Sequence, residues 1–366
     1  MDIYKTIIVG AGPGGLNAAR FLEDSLILDQ KTEIGKPVQC AEGISKESLE
    51  RQEIKPDPAW ISAVIDVVQL FSPAGKKIEI QGKTLGFILD RVGFEKFLAS
   101  KSRAKILLEK RVVDVKLENG FWEVKTEKGE IFKSKYLIGA DGSFSVVRNK
   151  VFDEKLALLP TLEYLVEVEK EIPISIMKLY FDKEKFPSGY GWIFPKGKKT
   201  ANIGLGGEKK LKEGFSYLME EIVKKEFGNY KLLKNISGVI SWGGAKIKLF
   251  KNNAFLVGDA GGLVDPVFGG GMNNAMISGE IAAECINSGE VELYERKIKS
   301  LPFFSSDLLS AQKILYSLPN PVLDELAEMG MKPVFSRFLF KPLLRKNFLK
   351  ICKLFLILEK NAGSFK

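Results

Sequence analysis

A glycine-rich turn near the start of the chain constrains the fold more than any other feature. The apolar, β-branched run Thr6–Val9 predicts a strand that leads into Gly10-Ala11-Gly12-Pro13-Gly14-Gly15, a G-x-G-x-x-G sequence. A helix over Leu16–Glu23 and a second strand over Leu26–Leu28 are predicted to follow. A strand, glycine turn, helix and strand in this order are typical of a βαβ unit that binds a dinucleotide.

The glycines of this turn have separate physical roles. Gly10 permits the tight turn, Gly12 lets the backbone approach a pyrophosphate, and Gly15 lets the helix pack on the strand. The N–H groups at the helix start then face the phosphates, where the helix dipole favours negative charge. Asp29 ends the second strand, nineteen residues after Gly10, where its carboxylate can accept hydrogen bonds from ribose hydroxyls. The turn is therefore predicted to bind the cofactor through Gly10, Gly12, Pro13, Gly14 and Gly15.

Composition limits the classes of protein to which the chain can belong. With 366 residues and 45% apolar side chains, it is long enough for two domains and a large core. The three cysteines are too few for a disulfide framework, which favours a reducing compartment. We find no export signal at the N-terminus and no stretch approaching the ~20 apolar residues of a membrane span. A cytoplasmic protein is therefore predicted.

The chain contains no histidine, which excludes several kinds of chemistry. No His–Ser or His–Cys nucleophile pair and no histidine metal site can form, and no metal site is predicted. Acid–base chemistry must come from carboxylates, Lys, Tyr, Cys, water or a cofactor.

Positive charge is concentrated in the C-terminal segment. The net charge is +9, and Met331–Lys366 contains nine Lys or Arg against one acid, Glu359. The spacing predicts a basic amphipathic helix over Leu343–Leu358. Its basic face contains Lys341, Arg345 or Lys346, Lys350 and Lys353, and its apolar face contains Leu344, Phe348, Ile351, Phe355 and Leu358. This helix either packs on the core with a solvated basic face or docks on an anionic membrane surface. No nucleic-acid partner is predicted.

The middle of the chain changes from helical to strand-like periodicity. Strands without intervening helices indicate an antiparallel sheet inserted into the nucleotide domain. The predicted strands are Tyr164–Val168, Ile174–Phe181, Tyr190–Phe194 and Ala201–Leu205. A helix is predicted over Lys210–Phe227 and another over Met272–Ser288, and the sequence beyond Ser300 is helical in pattern.

Three motifs in one order connect the chain to a known fold. They are the glycine turn with Asp29, GADGSFSVVR at Gly139–Arg148, and FLVGDAGGLVDPVFGGGMNNA at Phe255–Ala275. Together they resemble the FAD-binding fold of the para-hydroxybenzoate hydroxylase type. CAEGIS at Cys40, LDRVGFEKFL at Leu89 and GYGWIFPKGKKTANIGLG at Gly189 narrow the resemblance to the geranylgeranyl reductase family, including the archaeal digeranylgeranylglycerophospholipid reductases.

The resemblance implies an α/β fold with a Rossmann-like FAD-binding domain, an inserted antiparallel β-sheet substrate domain and a C-terminal helical region. The FAD-binding domain is discontinuous and covers 1–60, 84–155 and 245–295. The substrate domain covers 61–83 and 156–244, and the helical region covers 296–366.

The resemblance also implies the residues that bind FAD. Asp29 binds the adenosine ribose, Val113 meets the adenine side through its backbone, and Asp259 contacts the ribityl-diphosphate region. Gly271 and Met272 offer N–H groups of a helix start to the flavin pyrimidine, where reduced flavin carries negative charge. The other implied contacts are Gln30, Cys40, Ala41, Gly43, Arg91, Asp141, Gly142, Gly258 and Gly270.

Several of these residues also have a simpler structural explanation. Asp141 and Gly142 form at least a strand-ending turn, and Arg91 is at least a residue at a helix start. Cys40 is either a small core residue or a thiol near the flavin. Tyr190, Trp192 and Phe194 alternate along a predicted strand and share one face, which forms either a packing face or the wall of a substrate tunnel.

The activity implied by the resemblance is reduction of isolated C=C bonds in geranylgeranyl chains of archaeal-type membrane lipids or their precursors. Electrons would come from NAD(P)H or a reduced ferredoxin, and the protein would lie in the cytoplasm or at the cytoplasmic face of the membrane. An isolated alkene needs a proton as well as a hydride, and the candidate proton sources are Cys40, Tyr190 or a held water.

Two other functions are compatible with the sequence. Gly191–Pro195 resembles part of the W-x-W-x-I-P motif of flavin halogenases, although Tyr190 and Phe194 depart from that motif. A flavin monooxygenase or halogenase on the same fold is therefore one alternative. The other is an isoprenoid-binding electron-transfer flavoprotein that does not turn over lipid.

Overall fold

The structure is a computed structural model that describes residues 3–208, 214–242, 247–301, 304, 306–330 and 347–360. Its strands are β1 (Ile3–Val9), β2 (Ser25–Leu28), β3 (Gly43–Ser45), β4 (Ile61–Phe71), β5 (Lys77–Leu89), β6 (Lys105–Leu107), β7 (Val112–Glu118), β8 (Phe121–Thr126), β9 (Ile131–Gly139), β10 (Ala157–Val168), β11 (Ile176–Tyr180), β12 (Gly191–Gly197), β13 (Thr200–Gly206), β14 (Tyr230–Trp242), β15 (Phe250–Lys251) and β16 (Ala254–Leu256). Its helices are α1 (Pro13–Ala19), α2 (Lys46–Arg51), α3 (Arg91–Lys101), α4 (Gly214–Phe227), α5 (Met272–Ser288), α6 (Tyr294–Lys299), α7 (Ser306–Ser317), α8 (Asn320–Met329) and α9 (Phe348–Lys360).

The described residues divide into two compact units, which we describe separately. Unit 1 lies within Met1–Val38, Arg91–Leu158 and Ile240–Ser306, and unit 2 lies within Gln39–Asp90, Leu159–Val239 and Asp307–Lys366.

Unit 1 is built on an eight-stranded sheet with a parallel centre. The parallel strands follow the order β16, β9, β1, β2 and β6, and β1 is flanked by β2 and β9. The strands β7 and β8 add an antiparallel hairpin to β9. The residues of β1, β2 and β9 nearest their carboxyl ends are apolar and buried, as expected of parallel strands covered on both faces. The Rossmann-like arrangement predicted from the sequence is confirmed.

Helix α1 starts earlier and ends earlier than the predicted Leu16–Glu23. It begins at Pro13 and ends at Ala19. The Leu16 N–H donates to the Gly12 carbonyl at 2.9 Å, so the first helical turn forms inside the glycine turn itself. Proline is well suited to this first position because it has no N–H to satisfy there. Helix α5, by contrast, has the predicted bounds.

Unit 2 contains a second eight-stranded sheet, in the order β14, β10, β13, β12, β11, β4, β5 and β3. Most of the described pairs are antiparallel, as predicted, but β4 and β11 run parallel. One face packs on α4 through a buried apolar cluster that includes Tyr164, Ile193, Ile203 and Met219. Because side chains alternate along a strand, the residues between these point to the opposite face of the sheet.

The two units differ from the predicted domains in the segments that strand pairing places in unit 2. Residues 39–60 and 84–90 were assigned to the FAD-binding domain, but they belong to unit 2 because β3 pairs with β5 and β5 pairs with β4. The C-terminal region is also divided, since α6 belongs to unit 1 while α8, α9 and all of α7 after Ser306 belong to unit 2.

Some elements were absent from the sequence prediction. The proline and glycine of Lys36–Ser45 favour a loop, but the last residues of this segment form β3, and α2 follows with Ser45 as its N-cap. The thirteen-residue β14 was also missed. It lies at the sheet edge, and its successive exposed residues Leu232 and Leu233 break the alternation that identifies a half-buried strand.

The predicted C-terminal helix falls partly on described residues. Helix α9 begins at Phe348, whereas Lys341, Leu343, Leu344, Arg345 and Lys346 lie outside the described residues. On α9, Ile351, Leu354 and Ile357 are buried, while Lys350 and Lys353 are exposed.

Candidate cofactor and substrate sites

The glycine turn of unit 1 provides an open cradle beside close-packed backbone. Apart from the atoms of its chain neighbours, no described atom would lie within 4 Å of a Cβ built on Gly12, so the space in front of this residue is open. A Cβ on Gly15 would stand 2.0 Å from the Gly10 carbonyl oxygen, and one on Gly10 would stand 2.3 Å from the Ala140 oxygen. The predicted division of roles therefore has a structural basis: Gly10 and Gly15 are needed for packing, and Gly12 borders free space.

Asp29 holds the glycine turn in place from the end of β2. One carboxylate oxygen accepts the N–H of Ala11, and the other accepts the N–H of Lys31 at 2.8 Å. The side chain is buried. Asp29 thus has a structural role in addition to the predicted ribose contact, and Gln30 follows it directly in the loop after β2.

Arg91 begins α3 and is held by a buried carboxylate that sequence reasoning missed. Its Nε donates to Glu95 Oε1 at 2.7 Å, and Lys31 Nζ lies 3.5 Å from Glu95 Oε2. The Glu95 side chain is only 3% exposed. The i,i+4 spacing of Arg91 and Glu95 was the available signal. The ion pair therefore fixes the orientation of the Arg91 guanidinium. An ordinary exposed arginine at a helix start would not be held by a buried carboxylate in this way.

The loop after β9 uses Asp141 for its own structure. Its carboxylate accepts the Ser145 hydroxyl at 2.5 Å and the Val146 and Val147 N–H groups at 2.7 and 3.2 Å. Burial raises the pKa of Asp141, and these hydrogen bonds oppose the rise. The adjacent Gly142 has a φ of +75°, which favours glycine. These contacts favour the structural explanation for both residues.

Arg148 connects this loop to the loop after β16. Its terminal nitrogens donate to the Ala260 oxygen at 2.9 Å and the Ser143 oxygen at 2.7 Å. Burial lowers its pKa, while Asp141 and Asp259 act in the opposite direction. The residue is buried, and its Nε has no hydrogen-bond partner. Arg148 closes the predicted GADGSFSVVR motif but was not among the predicted site residues.

Asp259 lies in a short 3-10 helix after β16, and its side chain comes close to Gly271, the residue before α5. It accepts the Ser143 hydroxyl at 3.2 Å, and its Oδ1 would be 3.1 Å from a Cβ built on Gly271. Burial raises the pKa of Asp259, and Arg91 and Arg148 oppose this rise. Gly258 has a φ of +54° and turns the chain into this loop.

The first turn of α5 carries polar atoms that lack partners. Asn273 Oδ1 and Asn274 Nδ2 are buried without hydrogen bonds. A Cβ on Gly270 would again meet open space, and Met272 is the first residue of the helix. Unsatisfied buried amides are costly, so their presence beside a helix N-terminus fits a polar ligand group.

Val113 lies at a β-bulge. The register between β7 and β8 shifts between Val112 and Asp114, which places Val113 outside the regular ladder. Bulges often re-aim backbone and side chains next to functional sites. This geometry is compatible with the backbone contact to adenine that the resemblance implies.

In unit 2, the loop that carries Cys40 is held by polar contacts. Cys40 Sγ accepts the Glu42 N–H at 3.3 Å. Asn202 Nδ2 donates to Glu42 Oε2 at 2.8 Å and to the Ala41 oxygen at 3.4 Å. Lys196 Nζ lies 2.7 Å from Glu42 Oε2. A Cβ on Gly43 would stand 3.1 Å from the Phe194 ring, so this loop and the aromatic face meet.

The predicted aromatic face is on the side of the sheet opposite α4. Trp192 and Phe194 alternate with Ile193, which lies in the α4-facing cluster. Tyr190 precedes β12, and its ring centroid is 5.9 Å from that of Trp192. The aromatic side chains therefore do not pack on α4.

The structure groups the predicted residues into two sets. Unit 1 brings together Gly10, Gly12, Pro13, Gly14, Gly15, Asp29 and Gln30, and also holds Arg91, Val113, Asp141, Gly142, Gly258, Asp259, Gly270, Gly271 and Met272. Unit 2 holds Cys40, Ala41, Gly43, Tyr190, Trp192 and Phe194. Sequence reasoning missed four polar residues of unit 2, the buried Glu42, Glu163 and Asn202 and the half-buried Lys196. All of them except Glu163 stand inside the quoted motifs.

Comparison with solved structures defines the class of fold. The chain matches Klebsiella pneumoniae HpxO complexed with FAD with a TM-score of 0.66 at 16% identity, covering 97% of this chain and 99% of that one. It matches CmlS, a flavin-dependent halogenase, with a TM-score of 0.71 at 14% identity, covering 95% of this chain and 70% of the other. The chain therefore has the fold that these two flavoproteins share.

Closer relatives give the family. The model of the geranylgeranyl reductase catalytic domain matches residues 159–241. Digeranylgeranylglycerophospholipid reductase of Methanocaldococcus jannaschii is 34% identical over 89% of this chain and 90% of its own length. A geranylgeranyl bacteriochlorophyll reductase-like structure from Thermoplasma acidophilum gives a TM-score of 0.81 at 26% identity, covering 96% of this chain and all of that one. The chain belongs to the geranylgeranyl reductase family, which confirms the resemblance of the motifs.

Within the part of the chain that the structure describes, no helix is long and apolar enough to cross a bilayer.

Proposed function

We propose that this protein is an FAD-dependent reductase of isolated C=C bonds in geranylgeranyl chains of archaeal-type membrane lipids or their precursors. The similarity to a digeranylgeranylglycerophospholipid reductase along 89% of the chain carries this proposal. The open cradle at Gly12 and the unpartnered amides of Asn273 and Asn274 support a bound dinucleotide in unit 1.

Unit 1 supplies the proposed FAD contacts. The glycine turn binds the pyrophosphate, Asp29 the ribose, and the start of α5 the flavin pyrimidine. Arg91, Val113 and Asp259 complete the set. Cys40, Ala41 and Gly43 of unit 2 are included because the resemblance implies them. Reduced FAD, when bound, supplies hydride to the substrate.

The chain's own residues must bind the alkene, exclude water and provide a proton. An isolated alkene is not polarised by a carbonyl, so protonation toward a tertiary cation accompanies hydride addition, and water must be kept away from that cation. Tyr190, Trp192 and Phe194 form the proposed wall for the isoprenoid chain. Cys40 and Tyr190 are the proton sources proposed from the sequence.

The electron donor is proposed to be NAD(P)H or a reduced ferredoxin. Each donor is mixed with the flavin-loaded protein under anaerobic conditions, and reduction is measured as the loss of the visible absorbance of the flavin. The donor that reduces the bound flavin is the one that the protein uses.

We propose peripheral contact with an anionic membrane through α9. Leu349 and Leu356 are 81% and 66% exposed, and Lys350 and Lys353 are exposed beside them. Because Leu349, Lys353 and Leu356 are spaced four and three residues apart, they share one helical face. Apolar and basic side chains on one exposed face suit the boundary between headgroups and acyl chains.

Mass spectrometry of lipid products tests the proposed activity. Protein reduced with dithionite and incubated with geranylgeranylated glycerophospholipid should give products heavier by 2 Da for each bond reduced. Protein without FAD is the control and should give none. Oxidation of NAD(P)H with release of hydrogen peroxide and no such product would contradict the proposal and favour a monooxygenase.

A further inference from the structure

A buried polar cluster in unit 2 lies on the same sheet face as the proposed substrate wall. Glu163 of β10 and Trp192 of β12 both stand opposite Gly204 of β13, so the three residues are neighbours across three strands. A Cβ on Gly204 would stand 2.1 Å from the Trp192 ring. The absence of a side chain at Gly204 therefore makes room for the indole over this strand, toward Glu163.

Glu163 and Trp192 each contain a buried polar atom without a partner. Glu163 is 4% exposed and Trp192 is 8% exposed. Glu163 Oε1 and Trp192 Nε1 make no hydrogen bond of good geometry, although the indole N–H lies close enough to the carboxyl group to lower its pKa. A buried carboxyl oxygen without a partner is costly, and more so if it is ionised. Glu163, a buried carboxyl group with an unpartnered oxygen on the sheet face that carries Trp192, is therefore a candidate for a chemical role.

The charged groups that face Glu163 are Glu42 from the segment before β3 and Lys196 from β12. Burial, followed by the charge of Glu42, raises the pKa of Glu163 to about 8, while the Trp192 indole N–H and Lys196 act in the opposite direction. Glu42 is itself paired with Lys196 at 2.7 Å and accepts a hydrogen bond from Asn202. Glu163 therefore holds its proton more tightly than an ordinary carboxyl group, whereas Glu42 is paired with a cation.

We propose, building on the proposed reductase function, that Glu163 is the general acid that protonates the isoprenoid double bond. The Glu163 O–H bond breaks and a C–H bond forms at one alkene carbon. A hydride and its two electrons, which come from the reduced FAD of the proposed function, complete the second C–H bond. The resulting carboxylate regains its proton from water.

A carboxylic acid with a raised pKa suits this step better than a tyrosine such as Tyr190 does. A general acid works best when its pKa lies near the operating pH, and an ordinary tyrosine has a pKa of ~10. Glu163 meets this condition, and it is buried on the sheet face that carries Trp192.

Product formation in one turnover tests the assignment. Glu163→Gln should slow formation of the +2 Da product by about 100-fold or more, the usual contribution of general acid catalysis. The wild-type rate should fall as pH rises through about 8. Glu167→Gln, on the exposed part of the same strand, is the matched control and should keep both the rate and the pH profile. Glu163→Asp should recover part of the rate.

Infrared spectroscopy gives a readout that does not depend on activity. The wild type should show the band of a protonated carboxyl group that titrates near pH 8, and Glu163→Gln should lose it while Glu167→Gln retains it. Absence of this band would overturn the assignment. A full rate in Glu163→Gln, with loss in Cys40→Ser or Tyr190→Phe, would also overturn it. A wild type that shows the band and binds FAD but reduces no isoprenoid would instead reject the reductase function, and the acid role with it.

Discussion

The carboxylate of Asp29 at the end of β2 accepts the backbone N–H of Ala11 in the glycine turn. Asp29, which is proposed to bind the ribose of FAD, therefore also holds the glycine turn that is proposed to bind the pyrophosphate. Asp29→Ala would leave the Ala11 N–H buried without its acceptor. We expect FAD affinity to fall by about 1–3 kcal/mol and the unfolding free energy of the apoprotein to fall by a similar amount.

Titration of apoprotein with FAD, followed by flavin fluorescence, measures the first effect, and chemical denaturation measures the second. Asp29→Asn retains an acceptor oxygen and should lose less stability than Asp29→Ala. Unchanged FAD affinity in Asp29→Ala would show that the ribose lies elsewhere.

Gly12 and Gly15 should respond differently to the same substitution. Gly12→Ala places a methyl group in open space, so the apoprotein should keep its unfolding free energy to within about 1 kcal/mol. FAD binding should weaken at least about tenfold because the methyl group would stand where the pyrophosphate is proposed. Gly15→Ala puts a Cβ 2.0 Å from the Gly10 oxygen and should destabilise the apoprotein by about 1–3 kcal/mol.

Thermal melts and FAD titrations of the two variants separate these outcomes. A Gly12→Ala protein that binds FAD as tightly as the wild type would reject the cradle.

Glu95 should matter for FAD because it orients Arg91. Glu95→Gln removes the charge that pairs with Arg91 at 2.7 Å and should reduce the unfolding free energy by about 1.5–3 kcal/mol. FAD affinity should fall as well. Glu33→Gln, which removes a more exposed carboxylate paired with Lys36 and Lys96, is the control and should leave both quantities nearly unchanged because exposed ion pairs contribute little. Equal effects of the two substitutions would argue against a positioning role for Glu95.

Glu163 should make stability depend on pH in a defined direction. Its folded pKa, about 8, lies above the ordinary value of 4.5, so the folded state binds the proton more tightly. This contribution is complete below about pH 4.5 and is lost as pH rises from there to about 8. Glu163→Gln should therefore gain stability relative to the wild type at pH 9, by a few kcal/mol.

Denaturant unfolding of both proteins at pH 5 and pH 9 measures this difference. If the gap between variant and wild type is the same at both values, Glu163 is not the protonated group.

Helix α9 should bind anionic vesicles through its exposed face. Lys350→Gln with Lys353→Gln should weaken binding by about 2 kcal/mol, or roughly 30-fold, at ~1 kcal/mol for each charge. Leu349→Gln with Leu356→Gln should weaken binding at every salt concentration, because the apolar contact is not screened. Lys198→Gln with Lys231→Gln, on exposed strands and loops of unit 2, is the control and should have no effect. Liposome sedimentation that shows equal binding to neutral and anionic vesicles would reject the charge contribution.

The sequence by itself determined the βαβ unit with its glycine turn, the bounds of α5, the inserted sheet and the family. These features depend on local patterns: glycines at fixed spacing, apolar periodicity and motifs of adjacent residues. The same patterns did not identify β3 or β14, because a short strand and an edge strand are stabilised by partners that are distant along the chain.

Only the tertiary structure decided which polar residues meet. Arg91 and Glu95 are separated by one helical turn, but Glu163, Trp192 and Gly204 come from three strands, and Glu42 comes from a segment far from all of them along the chain. The pKa of Glu163 depends on burial and on the charge of Glu42, and neither can be read from its neighbours along the strand. Burial and long-range electrostatics arise only when the sheet assembles, so the buried acid was invisible in a sequence that clearly showed the glycine turn.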